Sequence, residues 1–297
     1  MGLIGKLYLT DDEKLLKNEP MKKHSSLQVG GNAKYYSIPK IIKSLVDAVI
    51  VAKENKIPVK VIGAGTNILV SDKGYDGLII DTAQLNYVSF EGNKVNACCG
   101  VRLSELIKEC AERGMKGLEN LYGIPASVGG AIFMNGGAYG VSVGDCIKKV
   151  YSVKNGMLKT YSAKECEFGY RKSVFKTNKE IIISAVFEFT KGNSAQIEQD
   201  IKNVLKKRRS SQPCYRTCGS IFLNPKGFKV AELIEKARLK GTKIGGASVS
   251  NLHSNFIVTI NNATATDVFK LIQYIKTRIK NEFGVDLTEE VEYVGEF

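Results

Sequence analysis

The sequence predicts a mixed α+β protein of about two or three compact units, and three observations carry that reading. Its 297 residues, 43% of them hydrophobic, can bury a substantial core. Helix-periodic and strand-like segments alternate through the first part of the chain. A polar, helix-forming connector near residue 193 then separates that part from a remainder that reads helix, strand, helix, strand.

From Pro39 to about Asn55, the apolar residues Ile42, Leu45, Val46, Val49 and Ala52 recur at helical spacing, and PVKVIG after them is a short buried strand. GLIIDT and KVNACC are further strands, and LSELIKECAERGM is an amphipathic helix ending at Gly114. The stretch from Gly117 to Gly144 is Gly-rich and too long for an ordinary turn. CIKKVYSV, MLKTYS and EIIISAVFEF are strands, followed by the helix NSAQIEQDIKNVLKKRRS with its N-cap at Asn193 or Ser194. The domain boundary is placed there, giving residues 1–192, divisible at about residue 82, and residues 193–297. Beyond it come a helix from Lys229 to Leu239, a strand from Asn255 to Ile260, a long helix from Ala265 to Phe283 and a final strand from Asp286 to Val294.

Composition narrows the function classes. The start, MGLIGKLYLTDDEKLL, lacks the apolar stretch of a secretory signal, and no window has the ~18 apolar residues of a membrane span, so the cytoplasm is expected and no membrane partner. The seven cysteines are odd in number and scattered, as reduced thiols are. Cys214 and Cys218 have a metal-like spacing, but no second cysteine pair lies near and the only histidines are His24 and His253, so no metal is expected. A net charge of +13 suits anionic partners. The excess is 35 Lys against 8 Arg spread along the chain, a solvated surface and not a clustered nucleic-acid footprint. The one dense run, Lys206 to Arg209, closes a helix and complements its dipole.

Two Gly-rich segments carry the candidate chemistry. In VIGAGTNILV, Gly63 and Gly65 begin a dinucleotide fingerprint, yet Ile68 stands at the third Gly and NILVSD continues as a β-favouring run instead of opening a helix. The segment is therefore no Rossmann site; it is either a plain turn between strands or a tight turn presenting backbone N–H groups to a diphosphate, with Thr66 and Asn67 adding donors. GLENLYGIPASVGGAIFMNGGAYG combines glycines with Ser127, Asn135 and the apolar Ile124, Val128, Ile132 and Phe133, a composition able to wrap a large, flat, partly apolar cofactor.

At this point the chain resembles the UDP-N-acetylenolpyruvoylglucosamine reductase (UDP-N-acetylmuramate dehydrogenase, MurB) family, within the vanillyl-alcohol-oxidase-like FAD-binding folds. The resemblance spans nearly the whole chain through SSLQVGGNAKYY (25–36), GAGTNILV (63–70), GIPASVGGAIFMNGGAYG (123–140), FGYRKSVFK (168–176), CGSIFLNP (218–225), KIGGASVSNLHSNFIV (243–258) and LTEEVEYVG (287–295). It implies a two-part FAD-binding region followed by a C-terminal α+β substrate domain, with the terminal strand contributing to the active site. It also implies FAD as cofactor, NADPH as reducing substrate, and reduction of UDP-N-acetylglucosamine enolpyruvate to UDP-N-acetylmuramate in peptidoglycan precursor synthesis; the sequence itself does not give the oligomeric state, and a monomer is expected. The implied cofactor contacts are Gly63, Ala64, Gly65, Thr66, Asn67, Gly123, Ile124, Pro125, Ser127, Val128, Gly129 and Asn135.

Hydride addition to an enolpyruvyl ether drives charge onto its carboxylate, so such a site needs a fixed cation there and an acid at the neighbouring carbon. The resemblance assigns these to Arg171 and Ser220, with Glu290 orienting and polarising the intermediate. Read locally, Arg171 is equally a surface arginine, Ser220 a turn serine and Glu290 one of three strand carboxylates with Glu289 and Glu292. Strand alternation lets only one of Glu289 and Glu290 face a cleft, and the family pattern of Glu before Val selects Glu290. Tyr170 and Asn224 are the substrate contacts, and His253 reads as a uridine contact or a structural histidine. The chain departs from the usual family pattern at Ala126, at Arg216 to Cys218, and at Asn251 and Leu252; the lack of an inserted tyrosine-bearing loop is that of the shorter subtype. A flavin oxidase of the same fold and a basic nucleic-acid-binding protein are the competing readings.

Overall fold

The computed structural model describes residues 15–260 and 262–297. The segment read above for a secretory signal lies, up to residue 14, outside the described residues. In chain order the strands are β1 (Leu15–Pro20), β2 (Asn32–Ser37), β3 (Val59–Ile62), β4 (Ile68–Val70), β5 (Tyr75–Asp81), β6 (Val88–Glu91), β7 (Lys94–Cys98), β8 (Met115–Lys116), β9 (Gly137–Ala138), β10 (Val141–Ser142), β11 (Ile147–Lys154), β12 (Met157–Ser162), β13 (Ile181–Glu188), β14 (Thr190–Lys191), β15 (Lys243–Ile244), β16 (Ala247–Val249), β17 (Ile257–Thr259) and β18 (Glu292–Val294). The helices are α1 (Ile42–Glu54), α2 (Leu103–Glu112), α3 (Val128–Met134), α4 (Val174–Asn178), α5 (Ser194–Ser211), α6 (Val230–Lys236) and α7 (Ala265–Phe283). Strands and helices are thus interspersed, a mixed α+β fold.

The chain forms two compact units. The first holds Tyr35–Ala64 and Gly77–Lys207; the second gathers Lys17–Lys34, Gly65–Asp76 and Arg208–Phe297. The chain passes from one unit to the other within β1, β2, β5 and α5 and between Ala64 and Gly65.

In the first unit β12, β11, β13, β7 and β6 make an antiparallel sheet in that order. Val95 and Ala97 on β7, Val150 on β11 and Ala185 and Phe187 on β13 are fully buried on its core face. Helix α2 lays Leu103, Leu106, Ile107 and Cys110 into the same core, and α1 adds Leu45, Ala48 and Ala52. Each such Leu or Ile contributes about 2 kcal/mol of transfer free energy. Beside them β3 pairs in parallel with β5, Val61 opposite Ile80.

In the second unit β15, β16 and β17 form an antiparallel sheet against which α7 buries Val268, Leu271, Ile272, Ile275 and Ile279. Helix α7 begins at a capping box: Thr264 Oγ1 accepts from Asp267 N at 3.0 Å and Asp267 returns a bond to Thr264 N at 3.0 Å. Asp72 adds its carboxylate to the same end, accepting from Ala265 N and Thr266 N at 2.8 Å each. The expected final strand is shorter than read: only Glu292–Val294 is a strand, pairing in parallel with β4. Ahead of it the chain keeps a single isolated bridge, Glu289 to Phe222, because the Ile221–Phe222 segment opposite is not a regular strand.

Candidate active site

Within the first unit the two Gly-rich segments meet. A Cβ on Gly63 would stand 2.0 Å from Ser127 Oγ, so glycine is required for the turn after β3 to approach this serine. Ser127 caps α3, its hydroxyl accepting from Gly130 N at 3.2 Å, which leaves the hydroxyl proton for another acceptor. This helix was not foreseen. Seven residues with two adjacent glycines fall below what periodicity detects, and the available signal was a serine directly before an apolar run. Val128 N and Gly129 N are bonded to Val101 O and Cys99 O at 2.8 Å, so these two residues anchor the loop. Gly123 has φ +86°, whereas Ala126 lies outside the left-handed region, so alanine costs nothing at that departure from the family pattern. Ile124 and Pro125 lie between them, with Ile124 N bonded to Leu121 O.

Arg171 sits at the apex of a tight turn closed by two reciprocal bonds of 3.1 Å between Gly169 and Lys172. Its own φ is +50°, uncommon for a residue with a side chain. The guanidinium donates from Nη2 to Gly137 O at 3.1 Å and lies 5.5 Å from the ring centre of Tyr170, which is 60% exposed. Tyr170, Arg171 and Asn135 line one cavity of about 580 Å³ together with Ser142, Lys164 and Phe168. Asn135 ends α3 in the left-handed conformation, and its amide is bonded within the protein to Gly144 N and Gly169 O.

In the second unit Asn67, Ser220 and Glu290 meet at the C-terminal segment. Gly65, with φ +65°, has His24 O at 1.9 Å from where a Cβ would stand, so it too must be glycine. Asn67 donates from Nδ2 to Glu290 O at 3.0 Å, and its carbonyl accepts from Glu292 N at 2.9 Å. Glu290 N donates to Ile221 O at 2.7 Å, and Ser220 bridges Phe256 on its other flank. Ser220 and Glu290 therefore lie on neighbouring, hydrogen-bonded segments. Glu289 is taken up by Lys276 Nζ at 2.8 Å and by the Tyr293 hydroxyl at 3.4 Å. Burial pushes the Cys218 thiol, two residues before Ser220, up to about 12, and the Glu290 carboxylate adds to that push. Asn224 Oδ1 accepts from Val230 N, the first N–H of α6, at 2.9 Å. Arg216, with φ +47°, lines a cavity of about 380 Å³ with Gln28, Thr259 and Asn262. The His253 ring lies tilted against Phe256, its centre 4.6 Å away, and accepts from Asn255 N.

The model of an FAD binding domain matches residues 33–156, and that of the UDP-N-acetylenolpyruvoylglucosamine reductase C-terminal domain matches residues 212–294. The UDP-N-acetylenolpyruvoylglucosamine reductase of Lactobacillus delbrueckii subsp. bulgaricus is 40% identical over 284 residues, covering 95% of this chain and 96% of that protein. The chain belongs to the UDP-N-acetylenolpyruvoylglucosamine reductase family. A crystal structure of UDP-N-acetylenolpyruvylglucosamine reductase (MurB) from Thermus caldophilus superposes with a TM-score of 0.81 at 30% identity, over 95% of this chain and 99% of that one. Physcomitrella patens BBE-like 1, at 14% identity and a TM-score of 0.60 over 95% of this chain and 89% of its own, shares the fold alone. For a member of this reductase family the motifs from SSLQVGG to LTEEVEYVG fall in both units. Among the described residues no helix is long and apolar enough to cross a membrane.

Proposed function

We propose that the protein is an FAD-dependent, NADPH-oxidising reductase that converts UDP-N-acetylglucosamine enolpyruvate to UDP-N-acetylmuramate for peptidoglycan synthesis. The observation that carries this reading is the backbone bond from Glu290 N to Ile221 O, which sets the segments that bear Ser220 and Glu290 next to each other in a chain of this family. When bound, FAD would supply the hydride-transfer chemistry that links NADPH to the methylene carbon of the enolpyruvyl group.

The donor set fits such a cofactor. Gly63, Ala64 and Gly65 offer backbone in a turn that admits no side chain at either glycine, and Thr66, Asn67 and Ser127 add neutral polar groups suited to a diphosphate. Gly123, Ile124, Pro125, Val128 and Gly129 shape the loop that would cover the apolar ring system.

As hydride arrives, negative charge grows on the substrate carboxylate. Arg171, held by Gly137 O and Tyr170, meets it with two parallel N–H donors. Ser220 then donates its proton to the carbon beside the carboxylate, a step open to a weak acid because that carbon is strongly basic. Glu290 orients and polarises this intermediate, and Glu289 is unavailable because Lys276 neutralises it. Tyr170 and Asn224 supply substrate contacts, and the net charge of +13 favours approach of the anionic sugar nucleotide. The protein acts in the cytoplasm as a monomer.

The test is a visible spectrum of the purified protein, followed by anaerobic NADPH and then the enolpyruvyl substrate. A flavin band that bleaches with NADPH and returns with the second substrate supports the reading. A protein that binds no flavin after reconstitution with FAD overturns it.

A further inference from the structure

We propose that Asn135 is a positioning residue for Arg171, locking the turn that presents the guanidinium to the substrate carboxylate. The proposal rests on the reading of Arg171 given above. It starts from a geometric coincidence: one short segment, Phe133 to Gly137, grips the Arg171 turn at three points. Ser173 Oγ, buried at the trailing foot of the turn, donates to Phe133 O at 2.6 Å. Asn135 Nδ2 donates to Gly169 O, at the leading foot, at 2.9 Å. Arg171 Nη2, at the apex, donates to Gly137 O at 3.1 Å.

Of these three, the Asn135 bond holds the closing pair itself, because Gly169 O also accepts from Lys172 N. The turn needs holding. Arg171 occupies the left-handed region without being glycine, a conformation that costs free energy and relaxes unless its surroundings over-determine it. Asn135 suits the task on two counts. It tolerates its own left-handed φ of 42°, and its amide has one end that donates and one that accepts. The accepting end is anchored, Oδ1 taking Gly144 N at 2.9 Å, and the residue is only 5% exposed. Gly144 is fitted to this arrangement, since a Cβ there would stand 2.9 Å from Asn135 Oδ1 and 2.7 Å from the Phe168 ring. With its amide bonded at both ends inside the protein, Asn135 acts on the reaction through Arg171.

The discriminating variant is Asn135→Asp, which keeps the acceptor and the left-handed tolerance but cannot donate to Gly169 O. It is compared with Arg171→Lys and with the double variant in the FAD-loaded full chain, the two half-reactions being followed separately by stopped flow. Asn135→Asp is expected to keep FAD and to be reduced by NADPH within about twofold of the parent rate, while reoxidation by the enolpyruvyl substrate slows about 10- to 100-fold. The double variant is expected to be no more than about twofold slower than Arg171→Lys alone, because both changes act through one group. Losses that multiply in the double variant, or a parallel loss of FAD or of the NADPH step, overturn the proposal. Hydrogen exchange at the Lys172 amide gives a readout free of activity: about tenfold faster exchange in Asn135→Asp is expected, and an unchanged rate overturns the proposal. If the parent enzyme is not reoxidised by the enolpyruvyl substrate, it is the proposed function that fails, and the exchange measurement still decides whether Asn135 holds the turn.

Discussion

A hydroxyl is a weak acid, so the part Ser220 can play depends on the groups around it. Two residues before it in sequence, the Cys218 thiol is buried and pushed up to about 12, so it carries no thiolate charge beside Ser220 across the working pH range. Ser220→Ala is therefore expected to retain FAD and NADPH-driven bleaching while reoxidation by the enolpyruvyl substrate falls about 10²- to 10⁴-fold. Unchanged steady-state turnover would remove Ser220 from the mechanism. Arg171→Lys keeps the charge but not the planar fork, and a loss of about 10²- to 10³-fold in the same half-reaction is expected, read as a fall in kcat/KM. At this scale the sequence was least informative by itself. Glu289 and Glu290 are indistinguishable by type and adjacent in position, and what separates them is Lys276, thirteen residues from Glu289 on α7. No local pattern around residue 290 announces that partner.

The elements were legible in proportion to their length and regularity. Helix α7 has the bounds read from its apolar spacing, Ala265 to Phe283, because nineteen residues display the period clearly. Strand β12 likewise coincides with MLKTYS. The connector helix starts where an N-cap was expected: Asn193 Oδ1 accepts from Gln196 N at 3.0 Å. The turn after β3 leads into strand β4 and not into a helix, in keeping with the apolar run that excluded a Rossmann fingerprint. What stayed hidden depended on distant partners. Helix α3 was lost among glycines that serve close packing, Gly129 against Cys99 and Gly63 against Ser127. The final strand was overestimated because pairing, not propensity, decides where a strand stops. The strongest element-scale prediction concerns the start of α7. Thr264→Ala breaks the capping box and is expected to cost about 1 kcal/mol, measured as a lower midpoint in urea with an unchanged slope.

For the molecule entire, acid stability is set by carboxylates fixed in their ionised form. Burial alone would raise Glu180, but bonds from Ser152 Oγ at 2.7 Å, Lys159 Nζ at 3.0 Å and the Tyr161 hydroxyl at 2.9 Å hold it below the usual carboxylate range. Asp267 is held down in the same way, its burial outweighed by the bonds from Gly246 N and from Thr264. A folded-state pKa below the unfolded one gives stability that is present above the unfolded value of about 4.3 for Glu, and that is lost as pH falls through the folded value. The melting temperature is thus expected to be level between about pH 7 and 5 and to drop below about pH 4.5, with a shallower acid limb in Glu180→Gln. An equally steep limb in that variant would assign the acid sensitivity to other groups. The threefold make-up of the second unit bears finally on biosynthesis. Leu27, Val29 and Leu69 share a core with Leu233, Ile257 and Leu271, and β4 has its parallel neighbour in β18. The ribosome extrudes the first three of these residues more than a hundred positions ahead of their companions, so a nascent chain of about 200 residues carries greasy segments with nothing yet made to cover them. Until residues 292–294 emerge β4 has no parallel neighbour, and a fragment beginning at residue 208 would be born without two of the three segments that build this unit.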